Sequence, residues 1–571
     1  MERDGERFFC YTAFMNQQCV KCQAAFEVTE SDMAFYDKVS PVFNGVKQLI
    51  PPPTHCPECR LRRRMSHRNQ IAITMRKDSN SGKTIFSLWT DDTPFPVYKN
   101  DYYYSDNWNA LDYGTDVDVE HSIFAQLTEL YLTVPRPARA ILNDENSDFC
   151  NNADNLKDCY LTFGASDSQD CMSCELCWYA RDLLECTLSP NCELCYECIA
   201  CESCYNTQSS LFSQDCSDSY FLMNCRNCKH CFGCVNLRHK EFCMFNEQLT
   251  EQEYYQRLAE LDLSSYTLRN QVKERCHEFF KKHPRPHVYN ISTEDSSGNF
   301  LTSCKSVHDS FFIRNSEDVK YGYYIMDDAK DTMDQTLIGK SSELVYESAV
   351  CGIGAQRILF CISCWEGISD LLYCNYCFKC QDCFGCVGLT NKQYCIFNKQ
   401  YTKEEYEMLV PNIIERMKQD KEWGEFVPMS SSGMPYNQTL AQRYFPLTKV
   451  EAEAEDLQWH ERDALSVQGD IPTDEHVDGY PEVQSLTLRC ETSGKIFKLT
   501  ESEVNRYKKF QAPLPRKAYD ERLHARFMQV GSIKLYDRTC DKTGQPIKTT
   551  IPPDSDWIVW DKDVYEQEFS G

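Results

Sequence analysis

Two short motifs near the start of the chain have the residue types and spacing of a metal site. Cys19-Val-Lys-Cys22 and Cys56-Pro-Glu-Cys59 are CxxC knuckles, each placing two thiols on one tight turn. Together they offer the four sulfurs of a tetrahedral zinc centre, a closed structural site with no open position for catalysis. Immediately after the second knuckle comes Arg60-Leu-Arg62-Arg63-Arg64-Met-Ser-His67-Arg68. Two readings of Arg60, Arg62, Arg63, Arg64 and Arg68 stand side by side. They form a phosphate-binding ridge, a common use of zinc ribbons, or they pair with the carboxylates of an acidic chain.

The other thiols follow a different rule. Of the 35 cysteines, 17 run from Cys150 to Cys243, and every gap between them is a multiple of three. Three is neither the 3.6-residue period of a helix nor the 2-residue period of a strand. It suits a tightly coiled β-solenoid, in which short strands and turns return one position to the interior at a fixed interval. The Asn, Asp, Ser and Gly between the cysteines are turn formers. Such spacing also invites metal, because Cys171, Cys174 and Cys177 form CxxCxxC, and Cys195–Cys204 and Cys225–Cys234 form CxxCxxCxxC.

A duplication inside the chain discriminates between packing and ligation. Cys231-Phe-Gly-Cys-Val-Asn-Leu-Arg…Cys243-Met-Phe-Asn246 recurs as Cys383-Phe-Gly-Cys-Val-Gly-Leu-Thr…Cys395-Ile-Phe-Asn398, so residues 141–260 and 291–412 are two copies of one domain. Cys192, Cys195 and Cys198 become Ser342, Val345 and Ser348 in the second copy. Valine fills a core and ligates nothing, so cysteine at these positions is expected to pack. Any second metal set would lie where the thiols recur, at Cys225, Cys228, Cys231 and Cys234 and at Cys377, Cys380, Cys383 and Cys386.

The ends of the chain also match. Cys490-Glu-Thr-Ser-Gly-Lys-Ile-Phe497, Thr500-Glu-Ser-Glu503 and Tyr507 follow Cys19, Phe26, Thr29-Glu-Ser-Asp32 and Tyr36, and Arg538-Thr-Cys540…Gly544 follows Arg76-Lys-Asp78…Gly82. Ser493 replaces Cys22, and nothing equivalent to Cys56 or Cys59 is evident. This copy is expected to fold without zinc. Asn80-Ser-Gly-Lys-Thr84 imitates the end of a P-loop but has Lys77 where the loop needs glycine, and reads as a hairpin turn. Of the aromatic cluster Tyr102-Tyr103-Tyr104 with Trp108, a place in the core is expected.

These elements divide the chain as follows: 1–70 zinc ribbon, 71–140 a small β-rich domain, 141–248 solenoid 1 and 249–290 a helical connector. Then come 291–400 solenoid 2, 401–449 a helical segment, 450–484 an acidic linker, and 485–571 the degenerate copy of the N-terminal region. Capping boxes at Thr250–Glu253 and Thr402–Glu405 open the helices behind each solenoid. The fold class expected is mainly β with helical connectors.

The net charge of −26 opposes phosphate backbones over most of the surface and favours basic partners. No run of about 18 apolar residues is present to span a membrane, and the charged start leads into no signal-like stretch. A cytoplasmic protein with reduced thiols is expected. Motifs for serine hydrolases, HExxH metalloenzymes and EF-hands are absent, so a non-enzymatic role is expected.

The ribbon ending His-Cys-Pro-Glu-Cys-Arg, the segment Tyr104-Ser-Asp-Asn-Trp108, Val134-Pro-Arg136 and the Cys-Phe-Gly-Cys-Val-Asn-Leu-Arg blocks resemble uncharacterised cysteine-rich proteins recurring in candidate-phyla-radiation bacteria. The resemblance covers nearly the whole chain and implies the same ribbon-and-solenoid architecture, with no activity attached. This chain departs from that pattern at Asp78, where a cysteine often sits. Three functions fit the sequence: a scaffold for protein partners or self-association, a thiol-based metal store or redox protein, and a nucleic-acid- or ribosome-associated factor acting through the arginine run.

Overall fold

The period of three is a backbone corner repeated. The computed structural model describes residues 14–177, 185, 199, 208–461, 469 and 485–569. Through the described coils of solenoid 1 the typical triplet has one bridging residue, one residue in the left-handed region and one that points inward. Lys157, Asp158 (φ 52°) and Cys159 form one such triplet, and Tyr160, Leu161 (φ 51°) and Thr162 form the next. Parallel bridges Lys157↔Gln169, Tyr160↔Met172 and Phe163↔Glu175 advance by 12 residues, so four triplets close one coil. Positive φ is least costly for Gly, Asn and Asp. This accounts for Asn152, Asn155, Asp158, Asp167 and Asp170 at the corners. Leu161 and Phe212, which lack that preference, hold the same conformation.

The inward position explains the cysteines. The Cys374 thiol donates to the carbonyls of Leu372 and Cys383, both at 3.5 Å, and the Cys374 N–H donates to the sulfur of Cys361 one coil earlier. Ser219 does the same: its hydroxyl donates to Ser217 O at 2.7 Å and accepts the Cys231 N–H at 3.0 Å. A buried N–H or C=O without a partner costs about 1–3 kcal/mol. A small side chain that fills space and also makes these bonds is therefore favoured under a corner. Val345, in the place of a cysteine in the other copy, is fully buried in the same column, as expected of a packing position. Cys186 to Cys204 lie outside the described residues.

Solenoid 2 widens in its middle. Glu317, Lys330, Glu343, Gln356 and Ser369 succeed one another at 13-residue steps, with an extra residue at one corner, and the step returns to 12 from Ser369 to Gln381 and Gln393. Each solenoid ends on an antiparallel strand, Glu247–Gln248 or Lys399–Gln400, that covers the last coil. This leaves no bare parallel edge there. Both capping boxes form as expected, opening helices Glu251–Ala259 and Lys403–Gln419. The 249–290 connector holds two helices, the second Tyr266–Phe280 starting at its own cap, Ser265.

Two expectations need correction. Residues 71–140 hold a single hairpin, Thr74–Lys77 with Thr84–Ser87, one two-residue parallel pair and three short helical segments; of these Ile123–Tyr131 buries Ile123, Leu127, Leu130 and Tyr131 behind the cap Ser122. The acidic linker begins as helix Lys449–Ala454, with Ala452 and Leu457 buried, and residues 462–468 and 470–484 lie outside the described ones.

The two halves of the chain cross over. The N-terminal ribbon packs Tyr36 and Phe35 against Tyr346 of solenoid 2. The C-terminal copy packs on solenoid 1, where the Tyr507 hydroxyl donates to Glu185 at 2.5 Å. Short parallel pairs bring Val97–Tyr98 beside Arg136–Pro137 ahead of solenoid 1, and Val559–Trp560 beside Arg285–Pro286 ahead of solenoid 2.

Urea unfolding checks the role of the inward thiols. Cys374→Ser, which keeps both hydrogen bonds, is expected to cost less than Cys374→Leu, which overpacks the coil by about 1–3 kcal/mol.

Candidate metal centre

The first knuckle sits on the hairpin Phe14–Gln18 with Ala25–Thr29. The Cys19 N–H donates to Ala24 O at 2.9 Å, and the Gln23 N–H returns to Cys19 O at 3.0 Å with Gln23 at φ 63°. The Val20 N–H reaches Thr54 O at 3.1 Å, which brings the second knuckle alongside. Cys56 is the N-cap of helix Pro57–Met65, so Cys59 lies in its first turn, where the positive end of the helix favours thiolates. A hydrogen bond from Cys59 holds the Cys56 thiol down at about 5.

The sulfurs of Cys19, Cys22, Cys56 and Cys59 all lie within 4.8 Å of one another, with Cys22 and Cys56 at 3.6 Å. Four thiolates around a metal at about 2.3 Å stand about 3.8 Å apart. The four side chains therefore fit a tetrahedral ion, which would join the hairpin to the helix and leave no coordination position open.

The same backbone motif occurs three more times. Asp78, Cys490 and Cys540 each donate their N–H five residues ahead, to Lys83, Lys495 and Gln545, and accept the N–H of Gly82, Gly494 and Gly544. The next residue of each reaches across as Val20 does: Ser79 to Val97 O, Glu491 to Arg516 O and Asp541 to Val559 O. This register places Lys99, Ala518 and Asp561 where the first knuckle has Cys56.

In these three, hydrogen bonds link the parts. Asp78 accepts the N–H of Ser81 and of Lys99 through separate oxygens, at 2.9 and 3.0 Å. The Cys490 sulfur lies 3.1 Å from Glu521, three residues beyond Ala518. The Asp561 N–H donates to the Cys540 sulfur at 3.2 Å. The C-terminal copy thus does have counterparts of Cys56 and Cys59, in Ala518 and Glu521. The sequence concealed them because neither can be recognised as a ligand.

The arginine run faces inward. Nε and a terminal nitrogen of Arg60 both lie 2.9 Å from one Asp334 oxygen, and Arg64 lies 3.0 Å from the other. Arg63 joins Glu347 at 2.5 Å and Glu425 at 2.9 Å; Arg62 takes Glu455 and the Tyr436 hydroxyl; Arg68 takes Gln70. Arg60 is 1% exposed and Arg64 is fully buried, with Arg63 and Arg68 below a tenth. Four of the five side chains of the expected phosphate ridge are therefore interior, and the pairing with carboxylates holds for Arg60, Arg62, Arg63 and Arg64. Burial among these charges pushes His67 down to about 3, chiefly through desolvation. The C-terminal copy repeats the device. Arg522 and Arg526, four and eight residues past Ala518 as Arg60 and Arg64 are past Cys56, both pair with Glu185 of solenoid 1.

The thiols kept as a second metal set are all buried. In both copies they donate to carbonyls, as Cys225 does to Met223 and Cys234, and Cys377 to Asn375 and Cys386. Cys228, Cys231, Cys234, Cys380, Cys383 and Cys386 are bonded in the same way. Among the described residues no other three thiols bring all their sulfurs within 4.8 Å. The sequence reading passed over Glu274, His277 and Glu278, which meet on one face of Tyr266–Phe280 by their i, i+3, i+4 spacing; both carboxylates are exposed. Asn80–Thr84 is the expected hairpin turn, with Gly82 at φ 70°. Tyr103 is buried against Trp108, with ring centroids 5.0 Å apart.

No protein-family model matches this chain, and no curated protein or solved structure matches it.

Asp334→Ala strands the buried guanidinium groups of Arg60 and Arg64. It is expected to cost about 3–5 kcal/mol by denaturant titration. Exposed Asp116, paired with Lys399 at the surface, should cost under about 1 kcal/mol as alanine.

Proposed function

We propose that this protein is a non-catalytic scaffold, with a structural zinc ion at Cys19, Cys22, Cys56 and Cys59 and two solenoids that present faces to protein partners. The observation that carries this reading is where the reactive groups lie. The described solenoid thiols are buried, most of them donate to carbonyls, and burial pushes the Cys150 and Cys276 thiols well above the ordinary range. Buried thiols of this kind are inert as nucleophiles. A four-thiolate ion likewise has no site for substrate.

The outside of the coils supports the same reading. Asn143, Asn155 and Asp167 form a ladder of side-chain hydrogen bonds across successive coils, and Asn146 bonds Asp158 at 2.7 Å. Such ladders make a stiff, repetitive polar face of the sort by which solenoid proteins hold extended partners. With a net charge of −26, the complementary surface is basic: another protein, or a basic patch of a second copy.

Affinity purification of the tagged full chain from its own cells tests this. A stoichiometric basic protein, or a second copy of the chain, should co-purify and be released as salt screens the charges toward a Debye length of about 3–4 Å. Recovery of the bare monomer, or of RNA that ribonuclease releases, would contradict the proposal.

A further inference from the structure

The duplication places two equivalent junctions in the molecule, and they have diverged. At one, the end of solenoid 2 meets the Asn100–Tyr103 helix. At the other, the end of solenoid 1 meets the helix Lys562–Phe569, across from the first coils of solenoid 2. The repeat aligns Cys225 with Cys377, so Tyr376 and Phe378 of the first junction correspond to Asn224 and Arg226 of the second. In the first, the molecule's own rings fill the space: Tyr376 is buried under the Arg136 guanidinium at 5.4 Å, and Phe378 meets Tyr104 edge-on at 6.1 Å. In the second, the two rings are replaced by an amide and a cation, and a cavity of about 160 Å³ lies beside them. An engineered apolar cavity of about 150 Å³ accepts a benzene ring.

The lining combines rings with unneutralised positive charge. Phe212, Tyr289 and Phe300 stand in a stack, with centroids 4.2 and 5.5 Å apart along it. Arg226, Arg238 and Arg314 enter from two different solenoids, and none has a carboxylate within 4.0 Å among the described residues. Arg238 donates to the carbonyls of Asn224 and Leu237 and lies beside the Tyr565 hydroxyl, and the Nε of Arg314 is buried without a partner. The one acid among the described lining residues, Glu566, is 3.7 Å from Lys562. Three uncompensated guanidinium groups on one cavity are out of keeping with a chain of net charge −26. Asn224 adds an independent sign. It is 5% exposed, and among the described residues neither its amide nor the neighbouring Tyr289 hydroxyl makes a hydrogen bond of normal geometry, a cost a native fold rarely leaves unmet.

We propose that this junction binds a small planar aromatic anion, one ring bearing a carboxylate or a phosphate. The ring takes the space that Tyr376 and Phe378 fill at the sister junction, and the anion meets Arg226, Arg238 and Arg314 through charge-assisted bonds. The Asn224 amide is placed to complete the contact. The proposal is separate from the scaffold reading, since it concerns the junction between the solenoids and not the polar ladders on their outer faces.

Calorimetric titration of the full chain with phenyl phosphate and with benzoate is the test, with inorganic phosphate as the control. Saturable one-site binding is expected for at least one aromatic anion, at least tenfold tighter than for inorganic phosphate. Arg226→Ala, at an exposed residue without a partner, should keep the melting temperature and weaken binding at least tenfold. The double change Asn224→Tyr with Arg226→Phe, which copies the sister junction, should abolish it. The proposal is overturned if neither aromatic anion binds saturably, if inorganic phosphate binds as well, or if the folded Arg226→Ala protein binds unchanged.

Discussion

A chain that turns through a left-handed corner at every third residue points part of its backbone at its own axis. The N–H and C=O groups there are out of reach of water, and the ladder of parallel bridges does not use them all. A small side chain that also hydrogen bonds is therefore favoured beneath a corner, although Val345 and Ile313 fill the same columns by packing alone. Cysteine and serine satisfy both conditions, as Cys361 and Ser219 show by donating to a carbonyl of their own coil and accepting an N–H from the next. The cysteine richness of the chain follows from this geometry, with no redox or metal chemistry required of most of it. The Asn and Asp richness of the corners has the same origin.

Narrow coils of this kind have small cores, and the rest of the molecule compensates. Ridges of aromatic residues on the outer corners, such as Phe360 stacked on Tyr373, are covered by helices and by the two ribbon-like ends. The ends are exchanged: the N-terminal ribbon lies on solenoid 2 and its copy on solenoid 1. At each contact a helix lowers two arginines, four residues apart, onto one buried carboxylate, Arg60 and Arg64 on Asp334 and Arg522 and Arg526 on Glu185. A buried ion pair adds little net stability, but it is costly to break and hence specific. The exchange ties residues some 270 positions apart and makes the two halves one body.

Much of this was legible in the sequence. The four thiols of the knuckles, both duplications and the three-residue register of Cys150–Cys243 announce themselves by spacing. The coil length did not, because a step of three says where the interior is and not how many steps close a turn. The ten-residue gaps Cys351–Cys361 and Cys364–Cys374 in the second copy were a usable signal, since each is nine plus the one extra corner residue of a 13-residue coil. The partners of the arginines were out of reach: nothing near Arg60 in sequence points to Asp334. Ala518 and Glu521 were hidden for a different reason, since a knuckle that exchanges metal for hydrogen bonds keeps its backbone and loses its motif.

The central claim is that one site is built for metal and the other thiols are built for packing. Elemental analysis of the full chain, purified without oxygen, tests it most directly. The account predicts one zinc per chain, lost on Cys56→Ser while the β-rich circular dichroism of the solenoids persists. Several zinc, copper or iron atoms per chain, retained in that variant, would contradict it and make the coils a metal store.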